Sequence, residues 1–87
     1  MLQLTWTENA LDDLEWWQKH DAKMLKRIIQ ICLATCKSPT QGIGKPELLK
    51  FDLQGYWSRR IDDEHRIVYA FDTKQVTITQ CRFHYQK

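Results

Sequence analysis

Leu2, Leu4 and Trp6 alternate with Gln3 and Thr5, the period-two pattern of a short strand with one buried side. Thr7 follows as an N-cap, with Glu8, Asp12 and Asp13 near the positive helix end, which favours acids. The pattern predicts a first helix from about Glu8 to His20, turning Leu14 and Trp17 toward the core together with Ala10 or Leu11. Asp21 is the expected cap of a second helix, from about Ala22 to Cys36. Its apolar stripe is Leu25, Ile28, Ile29, Cys32 and Cys36, while Lys23, Lys26, Arg27 and Lys37 face outward. The two helices are expected to pair as an antiparallel hairpin on one face of a sheet.

Ser38-Pro39 stops the second helix, because the residue before proline avoids the α region. Gly42, Gly44 and Pro46 mark a loop. Residues 48–51 read as a short strand or turn, and Gln54-Gly55 turns the chain again. From Trp57 to Tyr69 the chain reads as two strands joined by a tight acidic turn, residues 62–64. Trp57, Ile61, Ile67, Val68 and Tyr69 suit a half-buried pleated surface. Asp72-Thr73-Lys74 is the next turn, and residues 75–83 form the last strand. The order is β-α-α-β-β-β, with room for one extra short strand before residue 55. Strands joined by short turns imply an antiparallel sheet, so the class is α+β. The sheet face away from the helices is left for a partner or substrate.

Eighty-seven residues form one domain with one core, spanning residues 1–87. The net charge of +2 lies entirely in the second half. Residues 1–44 carry five basic and five acidic groups; residues 45–87 carry eight and six. So mild a bias is weak evidence for nucleic acid on its own. The cysteines are Cys32, Cys36 and Cys81, an odd count with no C-x-x-C pair. They read as small buried residues in a reducing cytoplasm. The N-terminus lacks a secretory pattern, and no apolar run approaches membrane-spanning length.

Three arginines and a histidine ride on the central hairpin: Arg59, Arg60, Arg66 and His65. A guanidinium is always charged and offers a planar fork of donors that matches phosphate. With Glu47, Lys50, His84 and Tyr85 they form the constellation worth weighing. It lacks the Asp and His clusters of a metal nuclease and any complete phosphate loop. It does fit metal-independent RNA cleavage, in which a 2′-hydroxyl attacks the neighbouring phosphorus. A base such as Glu47 removes the proton, and an acid such as His84 protonates the departing 5′-oxygen. Arg66, with Lys50 and Arg60, can hold the charge of the phosphorane. Tyr85 and Trp57 can stack on bases or orient phosphate.

Taken singly, each of these residues except Arg66 is better read as structural or solvated. His65 beside a turn reads as a hydrogen-bond cap. Arg59 and Arg60 point to opposite faces, so one joins the site and the other is expected to pair with a helix acid. A three-residue turn at 62–64 makes Arg60 oppose Arg66, whereas a two-residue turn puts Arg59 on the Arg66 face. The residue types alone amount to a basic β-sheet module.

Four ordered motifs narrow the reading. They are Gly44-Lys45-Pro46-Glu47-x-Leu49-Lys50, Leu53-x-Gly55-x-Trp57-Ser58-Arg59-Arg60-Ile61, Glu64-His65-Arg66-x-Val68-Tyr69 and Cys81-Arg82-x-His84-Tyr85. Together with Leu4-x-Trp6 and an acidic helix carrying Trp17, they resemble the Txe/YoeB toxins of the RelE/ParE superfamily. The resemblance covers essentially the whole chain. It implies a microbial-RNase-like α+β fold and a ribosome-dependent mRNA interferase that cuts the A-site codon. By motif position it implies Glu47 as general base, Arg66 as transition-state stabiliser and His84 as general acid. Lys50, Arg60 and Tyr85 take supporting roles at phosphate and substrate. No cofactor is implied. Implied partners are the 70S ribosome with mRNA, a YefM/Phd-type antitoxin, operator DNA through the antitoxin complex, and a second copy of the toxin. Where the family ends at the His-Tyr pair, this chain continues with Gln86-Lys87, which moves the terminal carboxylate away from Tyr85.

Two other classes compete: a non-cleaving ParE-like inhibitor of a DNA topoisomerase, and a regulatory module that binds only antitoxin and DNA. Neither needs an acid–base pair, so the joint presence of Glu47, Arg66 and His84 argues against both.

Overall fold

A computed structural model describes residues 1–83. Strand β1 is Gln3–Trp6, followed by helices α1, Glu8–His20, and α2, Ala22–Lys37. Then come strand β2, Glu47–Leu48, a 3-10 turn at Phe51–Leu53, and strands β3, Trp57–Arg60, β4, Arg66–Phe71, and β5, Gln75–Gln80. Strand β2 is the extra short strand for which the sequence left room.

The strands form one five-stranded sheet in the order β1-β5-β4-β3-β2. The α+β class holds, but the sheet is mixed rather than antiparallel. Strands β2 to β5 pair antiparallel through short turns, while β1 pairs with β5 in parallel, Leu4 opposite Val76. Short turns dictate the direction only of the strands they join. Everything between β1 and β5, the helical hairpin included, acts as a crossover, and a long crossover permits parallel neighbours.

Thr7 caps α1 as expected, its hydroxyl accepting from the Ala10 N–H at 3.2 Å. Asp21 does not cap α2 with its side chain. It serves as the hinge of the helical hairpin instead: its N–H donates to Trp17 O and its carbonyl accepts from Met24 N. Both helices cover one sheet face. Ala10, Trp17, Ile28, Ile31, Cys32 and Cys36 pack there against Ile67, Tyr69, Val76 and Ile78. The stripe of α2 is rotated from the expected one. Ile31 and Thr35 are buried, and Ile29 is exposed. Positions 28, 31, 32, 35 and 36 lie on one arc of a 3.6-residue helix, whereas position 29 is turned about 100° from 28. Thr35 tolerates burial because its hydroxyl donates to Ile31 O at 2.7 Å. Likewise Ala10, not Leu11, faces the core.

The other sheet face is not open along its length, since Ser58 and Val68 are buried there too. Cys32, Cys36 and Cys81 are free thiols, all buried, as the sequence suggested.

Candidate active site

The site begins at the acidic turn. Asp62 Oδ1 accepts from the N–H groups of Glu64, at 2.9 Å, and His65, at 2.7 Å. Such a side-chain-to-backbone turn favours Asp at its first position. The Ile61 N–H donates to His65 O, so residues 62–64 form the three-residue turn. Arg60 therefore stands directly opposite Arg66, and Arg59 opposite Ile67. The pleat puts Arg60 and Arg66 on the face away from the helices. Arg60 is exposed and Arg66 half-buried. Like charges directly opposite on neighbouring strands are destabilising. An anion held between them would remove that penalty.

Glu47 joins the same face. It lies opposite Ser58, two residues along β3 from Arg60, which makes it the diagonal neighbour of that arginine. The link between β2 and β3 is extended by Gly44, whose carbonyl accepts from Arg60 N at 2.6 Å. Gly44 has φ +85, and a Cβ there would sit 3.0 Å from Arg59 Cβ. Both the backbone conformation and the close approach demand glycine. Lys50, exposed, follows β2 and precedes the 3-10 turn. Residues 47–53 line a cavity of about 280 Å³. Among the described residues three that are not glycine hold left-handed backbone: Lys45, Phe51 and Phe83, at φ 52, 59 and 63. Lys45 and Phe51 bracket Glu47 and Lys50 in sequence, and Phe83 precedes His84. Backbone strain of this kind gathers at functional sites.

Arg59 takes the other face, but not with the acidic partner expected from the sequence. It is fully buried, and its guanidinium donates to three loop carbonyls, Ser38, Gln41 and Ile43, at 2.5, 2.9 and 3.0 Å. Its Nε donates to Tyr69 Oη at 3.2 Å, and that hydroxyl donates to Pro39 O at 2.6 Å. Burial pushes the Tyr69 phenol up in pKa, with Arg59 working against the shift. The planar fork suits carbonyls that point in from one loop, where a carboxylate would supply only two acceptors. Arg59 thus fastens residues 38–43 to the sheet, and that loop leads through Gly44 to Glu47.

The last strand ends at Gln80, not at Phe83. Residues 81–83 leave the ladder because other groups claim their backbone. Asp13 Oδ2 accepts from Cys81 N at 3.0 Å, and Trp17 Nε1 donates to Cys81 O at 2.8 Å. Burial raises the Asp13 carboxyl pKa, opposed by the Cys81 N–H and by Arg82. The Arg82 guanidinium lies over the Trp16 ring, 3.8 Å from its centroid. Phe83 donates its N–H to His65 Nδ1 at 2.7 Å, and its carbonyl accepts from Arg66 N at 2.9 Å. His65 is therefore a cap, as its place beside a turn suggested, though for a residue far along the chain. His84 and Tyr85 lie outside the described residues. Glu47, Arg60 and Arg66 thus share one face, with Lys50 beside them in sequence. Among the described residues no group of three or more His, Cys, Asp or Glu side chains can hold a metal ion.

Residues 6–85 match the model of the YoeB-like toxin of bacterial type II toxin-antitoxin systems. The chain belongs to that family. Toxin YoeB of Synechocystis sp. is 48% identical over 86 residues, covering 99% of this chain and all of that protein. A solved YoeB/ParE toxin from Agrobacterium tumefaciens superposes with a TM-score of 0.90 at 45% identity, covering 97% of this chain and 100% of the other. YoeB in a heterotetrameric YoeB-YefM complex from Staphylococcus aureus superposes at 0.86, with 41% identity and 98% and 99% coverage. The span matched to the YoeB-like family runs through every candidate position from Glu47 to Tyr85. The sequence did not reveal the carbonyl partners of Arg59, or that the group His65 caps is Phe83, since each acts on a segment distant in the chain.

Proposed function

We propose that this YoeB-like toxin is a ribosome-dependent mRNA endoribonuclease that cuts the A-site codon without a metal ion. The observation that carries the reading is the register of the sheet: β3 and β4 oppose Arg60 and Arg66, and β2 leaves Glu47 diagonal to Arg60 on the same face. A carboxylate on the same face as two guanidinium groups suits abstraction of a proton beside an anionic phosphate. Glu47 takes the proton of the 2′-hydroxyl, whose oxygen attacks the adjoining phosphorus. Arg66, with Arg60 and Lys50, holds the charge that builds on the phosphorane oxygens. His84 protonates the 5′-oxygen as its bond to phosphorus breaks, leaving a 2′,3′-cyclic phosphate and a free 5′-hydroxyl. Tyr85 orients the phosphate or stacks on a base.

The small basic face supplies few contacts for selecting a codon, so the ribosome is the natural source of mRNA alignment. The partners are accordingly the 70S ribosome with mRNA, in the cytoplasm. A YefM/Phd-type antitoxin would neutralise the toxin and join it on operator DNA, and the toxin can pair with a second copy.

The test is cleavage of a programmed mRNA by purified protein, with and without 70S ribosomes. Cuts confined to the A site, dependent on ribosomes and lost in Glu47→Ala, Arg66→Ala and His84→Ala, are expected. Intact mRNA under both conditions, with folded protein, would favour the ParE-like reading and direct the next assay to DNA gyrase.

A further inference from the structure

His65 is nearly buried, with 7% of its surface exposed, on the inner face of the central hairpin. The Trp17 ring packs edge-on against it, centroids 4.8 Å apart. Its Nδ1 accepts the Phe83 N–H, so the proton of the neutral ring belongs on Nε2, which lies 3.2 Å from a Glu64 carboxylate oxygen. The next residue, Arg66, gives its own N–H to the Phe83 carbonyl. Two consecutive residues of the hairpin therefore occupy both backbone groups of one residue. The Phe83 side chain is half-exposed, and both of its backbone groups are held by the hairpin. Phe83 also has left-handed backbone, φ 63, which costs a non-glycine residue about 1–2 kcal/mol. The ring has contacts of its own, with the Arg82 guanidinium 4.3 Å from its centroid and the His65 ring 5.9 Å away, but only the paired hydrogen bonds act on the Phe83 backbone itself.

The residue fixed in this way is the last before His84. We propose that His65 is a positioning residue for the general acid: its unprotonated Nδ1 fixes the Phe83 backbone and so sets the point from which the chain enters His84. The proposal rests on the nuclease reading above. It assigns His65 no contact with RNA. It also gives the spacing Glu64-His65-Arg66 a purpose, since the pleat sends Arg66 outward to phosphate and His65 inward to the C-terminal segment.

Two substitutions separate the roles of the ring nitrogens. His65→Asn puts an amide oxygen near the place of Nδ1 and keeps an acceptor for Phe83. His65→Gln puts its amide near the place of Nε2 and does not. In the 70S cleavage assay His65→Gln is expected to lower kcat about 100-fold, the scale of an ångström of misplacement, at unchanged KM. His65→Asn is expected to recover most of that loss. In a His84→Ala background His65→Gln is expected to lower the rate no further, because no acid remains to be misplaced. Amide exchange at Phe83 should be slow in wild type and in His65→Asn and fast in His65→Gln. Nitrogen NMR of the wild-type ring should show a bare Nδ1, a measurement that stands even where a variant fails to fold.

A protonated Nδ1 overturns the proposal. So do equal losses in the two variants, or a full His65→Gln loss that persists in the His84→Ala background. Wild-type protein that cuts mRNA, with His65→Gln equally fast and its Phe83 amide exposed, refutes the positioning role alone. Wild-type protein that leaves mRNA intact refutes the nuclease reading and this role with it.

Discussion

Replacing Arg59 with methionine tests how the site is held together. Methionine keeps much of the length and apolar stem of the side chain and removes its donors. Four acceptors lose their partner: the carbonyls of Ser38, Gln41 and Ile43, and the Tyr69 hydroxyl oxygen. A hydrogen bond from a charged group contributes about 1.5–3 kcal/mol, and a buried acceptor left unpaired costs about 1–3 kcal/mol. The four do not add, because the loop can shift and admit water at the exposed carbonyls. A loss of about 3–5 kcal/mol is the reasonable scale, as for other broken buried charge networks. Total stability for a domain of this kind is about 5–15 kcal/mol, so the variant should lie near the edge of folding. The assay is urea unfolding followed by tryptophan fluorescence, in a Glu47→Ala background, which on the proposed function silences the toxin. With m about 1–2 kcal/mol per molar urea, the midpoint should fall by about 2 M or more. Arg59→Lys should recover only part of the loss, since an ammonium group cannot span the four acceptors. A loss under about 1 kcal/mol in Arg59→Met, at unchanged m, would refute the role given to the guanidinium.

Gly44→Ala should destabilise by about 2–4 kcal/mol in the same assay, combining left-handed strain with the clash against Arg59 and Arg60. Asp13 has a carboxyl pKa raised by burial, so the folded state binds its proton more tightly than the unfolded state. Its contribution to stability is fully present below the unfolded pKa and is lost as pH rises through the folded value. Asp13→Asn keeps an acceptor for Cys81 N and should gain on wild type in urea midpoint between pH 4 and 7; a constant difference would contradict this. Burial pushes the Cys32 thiol up to about 12 and raises Cys36 and Cys81 as well. Native protein should therefore leave Ellman's reagent unreacted at pH 8 and release three equivalents of thiol in urea, and a fast native equivalent would refute the burial argument.

The elements were legible because their signals are local. Thr7 as a cap, Ser38-Pro39 as a stop and two aspartates opening turns each act within four residues of themselves. The hairpin register was narrowed to two options, and Asp62 selected the one that pairs Arg60 with Arg66. What escaped was non-local. The direction of β1 depends on a partner more than seventy residues away. Arg59 was expected to find an acid because a buried charge needs compensation, yet carbonyls of an irregular loop supply it without leaving any acidic signature. The early end of β5 depends on Asp13 and Trp17, whose claim on Cys81 no pattern in residues 75–83 encodes. The face shared by Glu47, Arg60 and Arg66 was legible as a list of residue types; its geometry depended on the register.

One alternation of the pleat links support and chemistry. On β3 Arg59 turns inward and Arg60 outward. Just before β4 His65 turns inward, and at its first residue Arg66 turns outward. Each outward cation is thus covalently next to an inward residue that fastens one approach to the site: Arg59 holds the loop that leads to Glu47, and His65 holds the residue before His84. A shift of one residue in the register would exchange every pair, burying Arg60 among apolar side chains and exposing Arg59 in its place. The loop would lose its donors and the site its cation in the same step. On the proposed function, stability and activity therefore constrain the same short hairpin. Substitutions of the inward pair should lower both together, and substitutions of the outward pair should lower activity alone.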